Sequence, residues 1–382
     1  MQKKQKIVFV INEYSFFISH RKNLVIEISK YFEVTIITDL TGHFHDQNLA
    51  NMPYNILHLD KRRNSSNVVE ILKFFTGLVQ KINQSKADIV FFVSLENCVF
   101  GSMIKSFINA KKSFFIITGL ENIFKKSSAV KTLVAKIFKF FLKLSVNKSN
   151  ADFIFQNDAD KDELSTNIKK DIKNFYIIKG NGIDLNRFKF KQRFLDKNQN
   201  IIKILFASRL LYTKGVMMIM DISKKITHSN LEYRFSIAGK HDPNNTLSIN
   251  NEDLMLLKNS KNINFLGEVS NDKIHDLYFQ HDIFLLPSIR EGIPGAALEA
   301  ASTGMPLLLS NVPGCKECIS LTNSNGALFE VNSLDSLEKA IVALCRKREN
   351  LIKNSFNSRK HVEDHFSVKK ISKEYLKIIY KK

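Results

Sequence analysis

Glu291 and Glu299 stand eight positions apart in Pro287-Ser288-Ile289-Arg290-Glu291-Gly292-Ile293-Pro294 and its continuation through Leu298-Glu299-Ala300 to Gly304-Met305-Pro306. A carboxylate in a glycine-bearing loop can accept hydrogen bonds from sugar hydroxyls, and a second one along a following helix could hold a diol such as a ribose. Free backbone N–H groups at the start of that helix attract phosphate, and the loop glycines let a ligand approach the backbone. Together these groups suit a nucleotide sugar. The spacing disfavours a hydrolytic carboxyl pair, because eight helical residues span roughly 12 Å, whereas such a pair needs about 5 to 9.5 Å between carboxyl groups.

The surrounding elements position these residues. Residues 282–286 form a short apolar run, expected to be a buried parallel strand that Pro287 stops. Gly292, Pro294 and Gly295 make a tight loop, and the Ala-rich run 296–302 is helix-prone, which puts Glu299 about two turns along. Gly304 and Pro306 stop the helix before a new strand at 307–309.

This stretch resembles the signature of the retaining glycosyltransferases of family 4, which have the two-domain GT-B fold. The pattern S-x-x-E-G-x-P-x-x-x-L-E-A-x-x-x-G-x-P is matched at every fixed position. Ala207-Ser208-Arg209-Leu210-Leu211-Tyr212-Thr213-Lys214-Gly215 resembles the family's R-L-x-x-x-K-G element, which implies that Arg209 and Lys214 hold the donor diphosphate. A guanidinium and an ammonium beyond a strand end can indeed neutralise a pyrophosphate leaving group. The resemblance implies that Glu291 holds the donor sugar, that Glu299 holds the ribose, and that Gly292, Ile293, Pro294, Gly295, Ser208, Gly239 and Leu266 complete the donor site. It implies front-side displacement with no protein nucleophile, a UDP-linked donor of hexose or N-acetylhexosamine type, and no metal or other cofactor. Gly180-Asn181-Gly182-Ile183-Asp184 resembles the family's hinge.

The expected fold is therefore α/β, with two Rossmann-like βαβ domains facing across a cleft and a C-terminal helix crossing back. Residues 1–188, joined by 366–382, make the acceptor-side domain, and 189–365 make the donor domain, with a polar linker over 189–200. In the first half, strands are expected at 7–11, 34–38, 54–59, 88–93, 113–118 and 152–155, with a loop over 12–19 and helices at 20–31 and 68–82. In the second, strands at 201–206, 234–238 and 263–266 precede the organising loop, and helices at 334–344 and 366–380 follow it. The first strand has no G-x-G-x-x-G after it, so a nicotinamide or flavin site is unsupported.

Composition limits the partners. The 382 residues hold 57 Lys+Arg against 37 Asp+Glu, a net charge of +20, which implies an anionic partner. Zinc-finger, helix-turn-helix and RNA-recognition patterns are absent, so nucleic acid is not the expected one. The four cysteines, Cys98, Cys315, Cys318 and Cys345, are too few for a disulfide framework, and Cys315-Lys316-Glu317-Cys318 reads as coincidence. The basic start followed by apolar residues 7–11 reads as a first strand and not a signal peptide. No apolar run reaches the length of a membrane span. The expected location is cytoplasmic, peripheral on the inner face of the membrane.

Helix 128–147 groups Val130, Leu133, Val134, Ile137, Phe138, Phe141 and Leu144 on one broad face, with Lys136, Lys139 and Lys143 on the other. Such a helix could lie on an anionic bilayer or simply face a core. The Asp158-x-Asp160 pair is read as helix capping rather than metal binding.

Ser19-His20-Arg21 and Phe155-Gln156-Asn157 resemble a bacterial subgroup that builds capsule, O-antigen (lipopolysaccharide) or lipid-linked oligosaccharide, which implies a lipid-linked saccharide acceptor. Two segments depart from it: Ser94-Leu95-Glu96-Asn97 replaces a Thr-x-Lys-Pro segment, and Gly119-Leu120-Glu121-Asn122 replaces a Gly-Leu-Gly turn. His20, Glu96, Asn97 and Glu121 are accordingly the acceptor-side candidates. Two rival readings stay open at this stage. A donor-binding but catalytically impaired partner would bind donor without transfer, and a nucleotide-sugar epimerase would turn over donor alone.

Overall fold

The computed structural model describes residues 4–43, 52–60, 68–120, 129–146, 151–193, 201–226 and 231–381. The chain divides into two compact units, residues 1–181 with 371–382, and residues 182–370. These divisions differ from the expected ones at 188/189 and 365/366. Ile183 pairs with Ser367 in a parallel bridge, and Phe188 is buried in the second unit's core, so the hinge segment joins that unit from Gly182 onward. Residues 189–193, expected to be linker, are also packed there: Lys191 N–H donates to Thr303 O at 3.1 Å.

The first unit is a parallel sheet of seven strands, β1 (Lys6–Glu13), β2 (Glu33–Asp39), β3 (Asn55–His58), β4 (Ile89–Val93), β5 (Lys112–Ile117), β6 (Ala151–Phe155) and β7 (Phe175–Ile177), in the order β3-β2-β1-β4-β5-β6-β7. Its helices are α1 (Tyr14–His20), α2 (Lys22–Ser29), α3 (Val68–Gln84), α4 (Leu95–Ile104), α5 (Ala129–Ser145) and α6 (Asp158–Ile168). Strands β4 and β6 are buried at every residue, as parallel strands covered on both faces must be. Alternate residues feed two cores. On one face Phe9, Phe91 and Phe114 lie in register and stack with centroids 4.7 Å apart at each step. On the other, Phe92, Phe115 and Phe153 continue the pattern at 5.6 and 5.2 Å.

The segment expected as a loop over 12–19 is α1, because Tyr14 and Phe17, one helical turn apart, bury their rings against the first core. Helix 20–31 is interrupted at Arg21, which leaves helical geometry and caps α2. The helix α4 was not anticipated; it follows β4 directly and packs six buried residues beneath its neighbours.

The second unit has six parallel strands, β8 (Ile201–Ala207), β9 (Glu232–Ala238), β10 (Ile263–Gly267), β11 (Ile283–Leu286), β12 (Leu307–Ser310) and β13 (Gly326–Phe329), in the order β10-β9-β8-β11-β12-β13. Its helices are α7 (Val216–Lys225), α8 (Asn251–Asn259), α9 (Ile274–Gln280), α10 (Gly295–Ser302), α11 (Leu334–Cys345) and α12 (Arg348–His365). The strand β13 and the helix α12 lie where no element was expected. The buried residues of α12, Leu351, Asn354, Ser355, Ser358 and Val362, keep helical spacing but are mostly polar or small, so hydrophobic periodicity does not reveal it.

The last helix, α13 (Val368–Tyr380), begins in the second unit and from Ile371 belongs to the first. Ile371, Tyr375, Ile378 and Ile379 join the first unit's core. Arg21, 1% exposed, donates to the Tyr375 hydroxyl at 3.0 Å there.

Phe91 sits at the centre of its stack, so Phe91→Ala should lower the unfolding free energy by about 3 to 5 kcal/mol, read as a shift in the urea midpoint. A change below about 1 kcal/mol would show that the stack contributes little.

Candidate active site

In the second unit strand order reverses between β8 and β11, with β9 and β10 to one side and β12 and β13 to the other. The chain leaves these two neighbours in opposite directions, and ligands of open α/β sheets bind at the carboxyl ends of the strands at such a point. The segment after β8 runs from Ser208 through a 3₁₀ turn (Tyr212–Lys214), and the segment after β11 runs from Pro287 to Pro294 into α10.

The two segments are knitted together. Ile289 N–H donates to Thr213 O at 3.0 Å. Gly215 has φ +71°, and a Cβ there would lie 2.0 Å from Pro287 O. Behind them the turn after β12 closes at Gly314, φ +64°, where a Cβ would lie 2.1 Å from Gly292 O. Both glycines are required by a left-handed backbone and by contact at carbonyl distance.

This packing places Lys214 Nζ 2.5 Å from Glu291 Oε1, with side chains 17% and 8% exposed. Ser288 Oγ donates to the same oxygen at 2.6 Å, and Ser310 Oγ donates to Ser288 O. Cys315 is buried against this group; loss of water and the Glu291 charge both push its thiol pKa up. Arg209 is exposed on the same segment as Lys214, and its guanidinium has no carboxylate partner among the described residues. Gly292 and Ile293 are half-buried, Pro294 is buried, and Gly295 is exposed as the first residue of α10. At the neighbouring strand ends Ser208 N–H donates to Ala238 O at 3.1 Å and Gly239 N–H to Gly267 O at 2.7 Å. This brings Ser208, Gly239 and Leu266 to the same edge of the sheet.

Glu299 is the fifth residue of α10, nearer one turn than two along it. Ala297, Ala300 and Ala301 are wholly buried and let α10 pack closely. Tyr278 Oη donates to Glu299 Oε2 at 3.0 Å. Burial pushes the Glu299 carboxyl up to about 7, opposed by the Tyr278 hydrogen bond and the Arg187 charge. A carboxyl raised above its unfolded value favours folding only while protonated, so this contribution is lost as pH rises through about 7. The two glutamates thus have separate partners, Lys214 and Ser288 for one and Tyr278 for the other, and do not form an acid pair.

The first-unit candidates fare differently. His20 is exposed at the end of α1, its ring 4.7 Å from that of Phe16. Glu96, in the first turn of α4, accepts from Asn12 Nδ2 at 3.2 Å, beside the other strand-order reversal between β1 and β4. Asn97 is a correction: it is 2% exposed and its amide donates to Val93 O at 2.8 Å and Val10 O at 3.2 Å, a tie between strands rather than a contact surface. Glu121 lies outside the described residues. The cap of α6 is Asn157, which accepts from Asp160 N–H at 2.8 Å, with Asp158 and Asp160 in the first turn. Cys315 and Cys318 are both buried and form no disulfide. Among the described residues no cluster of His, Cys, Asp and Glu could hold a metal ion.

Sequence reasoning did not find Tyr278, Arg187, Ser310 or Asn12. Each lies far along the chain from the residue it serves, and no local spacing marks it.

Each unit is a doubly wound parallel sheet, and two such units in one chain are the GT-B fold. Over its whole length the chain is similar in fold to the sucrose-phosphate synthase from Thermosynechococcus elongatus, with a TM-score of 0.77 at 14% identity, covering 98% of each chain. Residues 187–360 match the family Glycosyl transferases group 1. The chain is 26% identical over 346 residues to the N,N'-diacetylbacillosaminyl-diphospho-undecaprenol alpha-1,3-N-acetylgalactosaminyltransferase of Campylobacter jejuni, covering 88% of this chain and 89% of that one. It is 27% identical over 314 residues to the UDP-Gal:alpha-D-GlcNAc-diphosphoundecaprenol alpha-1,3-galactosyltransferase of Escherichia coli, covering 78% of each. The chain is a glycosyltransferase that carries a group 1 domain.

The close approach at Gly215 makes a specific prediction. Gly215→Ala should cost about 2 kcal/mol or more in stability, whereas Gly295→Ala, with nothing within 4 Å of the added Cβ, should stay within about 0.5 kcal/mol. Thermal unfolding of the two variants makes the comparison, and equal effects would contradict it.

Proposed function

We propose that the chain is a retaining glycosyltransferase of family 4 that moves a hexose or N-acetylhexosamine from a UDP-sugar to a hydroxyl of a lipid-linked saccharide, in bacterial capsule, O-antigen or related glycan synthesis. The observation that carries this reading is the Lys214–Glu291–Ser288 knot at the strand-order reversal of a group 1 domain. The relatives' lipid diphosphate substrates support the acceptor class.

In this reading Glu291 accepts hydroxyls of the donor sugar and Glu299 those of the ribose. The bond from the anomeric carbon to the diphosphate oxygen breaks while the acceptor oxygen bonds on the same face, and the acceptor hydroxyl's proton passes to the departing diphosphate. Negative charge grows on the departing diphosphate, and Arg209, Lys214 and the N–H groups of residues 292–295 receive it. Two fixed cations can serve where other transferases use a divalent ion, so no metal is assigned. On the acceptor side Glu96 with Asn12, and His20 nearby in sequence, are the candidates, and Asn97 is dropped.

Titration calorimetry with UDP, GDP, ADP and CMP, with and without EDTA, tests the donor site. UDP should bind selectively and equally in EDTA, and Glu299→Ala should weaken it at least tenfold, as expected for losing a charged hydrogen-bond acceptor. Unchanged affinity in the variant would remove Glu299 from the site.

The membrane reading is favoured by α5. The sequence grouping placed its apolar residues on one face and its lysines on the other, but the structure divides them. Phe138 and Phe141 pack on the second core of the first unit, while Ile137, Phe140 and Leu144 are 43%, 59% and 48% exposed. Lys136 and Lys143 are exposed beside them; Val130, Leu133 and Val134 have side chains outside those described. An outward stripe of apolar and cationic residues suits an anionic bilayer surface, and no helix among the described residues is long and apolar enough to cross a membrane. We assign the chain's basic excess to this surface and to the diphosphate, and place the enzyme peripherally on the cytoplasmic face. Phe140→Asp should weaken co-sedimentation with phosphatidylglycerol vesicles about tenfold, the effect of losing one large buried apolar side chain, and leave UDP binding unchanged. Equal sedimentation of variant and parent would rule α5 out as the anchor.

A further inference from the structure

Among the described residues, only one oxygen of Glu299 is engaged. Oε2 takes the Tyr278 hydroxyl at 3.0 Å, and Oε1 has no hydrogen-bond donor among the described residues. Tyr278 is 1% exposed, and its ring is held between Phe188 and Phe284, with centroids 6.0 and 6.3 Å away. Its hydroxyl therefore has little freedom, and it fixes the direction of one carboxyl oxygen, Oε2.

Arg187 is the second influence. Its guanidinium lies over the Phe188 ring at 4.9 Å and donates to Asn271 O. From there its charge acts on Glu299, Tyr278 and Asp272. Tyr278 from α9 and Arg187 from the segment before β8 are the titratable or charged groups that act on the Glu299 carboxyl. Neither belongs to the E-x7-E stretch, and both act on the same carboxyl that burial drives towards its neutral form.

We propose that Tyr278 is a positioning residue that orients the free oxygen of Glu299 for the vicinal hydroxyls of the donor's ribose, with Arg187 acting on the same carboxyl from farther away. The proposal rests on the donor-site reading above. A diol donates to a carboxylate, whereas a protonated carboxyl offers one oxygen fewer and a competing donor. Holding the charge is thus part of recognising the sugar. Two groups act on it together, a neutral hydroxyl that sets direction and a cation that acts at longer range.

The test is calorimetric titration of the intact protein with UDP and with 2'-deoxy-UDP, from about pH 5.5 to about pH 9, across the range where a raised carboxyl titrates. In the parent, UDP affinity should fall as pH drops through about 7, the range to which burial pushes Glu299, while 2'-deoxy-UDP binding should vary much less. Tyr278→Phe should weaken UDP about tenfold near neutrality and move the midpoint upward. Arg187→Gln should move it the same way, and Arg187→Lys should restore it. Both variants should leave 2'-deoxy-UDP affinity within about twofold, a split that general loosening of the fold would not produce. An unmoved midpoint in both variants, or equal losses for the two nucleotides, would overturn the proposal. Should the parent itself bind no UDP at any pH, the donor-site reading falls instead. Arg187 is half-buried, so its variants decide the question even if Tyr278→Phe unfolds.

Discussion

The second unit depends on how closely the backbone after β8 approaches the backbone after β11. Gly215 lies so near Pro287 O, and Gly314 so near Gly292 O, that any side chain would separate the segments. Only at this spacing can Lys214 reach Glu291 while Ser288 shares the same oxygen. A lysine and a glutamate 77 residues apart in sequence are thereby held in a half-buried pair whose geometry comes from backbone packing. The small residues of α10 extend the same device, since Ala297, Ala300 and Ala301 vanish into the core and fix where Glu299 emerges.

The first unit is organised by a different force. Its central strands are rich in phenylalanine, and register sets Phe9, Phe91 and Phe114 on one face and Phe92, Phe115 and Phe153 on the other. Stacked rings of this kind add to the burial of their area, so a sheet without tryptophan still fills both of its layers. The polar groups beside the rings must accommodate them. Asn97 is taken up by the carbonyls of Val10 and Val93, and Ser94, at the turn after β4, holds a positive φ of 91°, a conformation that residues other than glycine rarely adopt.

Buried polar side chains carry much of the second unit's specificity of packing. Arg193 is 5% exposed and bonds the carbonyls of Tyr278, His281 and Thr303; burial lowers its pKa to about 10. It anchors the segment entering β8 to the far side of α9 and α10. Ser302 and Arg359 both bond Phe188 O, tying α10 and α12 to the start of the unit. Buried groups tied to specific carbonyls in this way favour one arrangement over others that would leave those carbonyls unpaired.

The alternation of strands and helices, the glycine loop and the two glutamates were legible in the sequence because they are local. Apolar runs of strand length mark themselves, and the fixed positions around Glu291 and Glu299 sit within a single stretch. The residues that complete the site were not legible, since Tyr278 reaches Glu299 only once the fold brings α9 beside α10, and the Arg187 charge acts on it from a segment far away in the chain. Several elements escaped, three of them for related reasons. The helix α12 buries Asn and Ser instead of an apolar stripe, α1 is too short to show a period, and β13 is recognised only by its pairing with β12. The outward face of α5 was likewise beyond the sequence, because Ile137 and Phe138 look alike until a core claims one and leaves the other in water. Composition and local spacing determined which chemistry was possible. Packing decided which side chains were left facing a ligand, because burial and long-range hydrogen bonding depend on neighbours that the chain supplies from elsewhere.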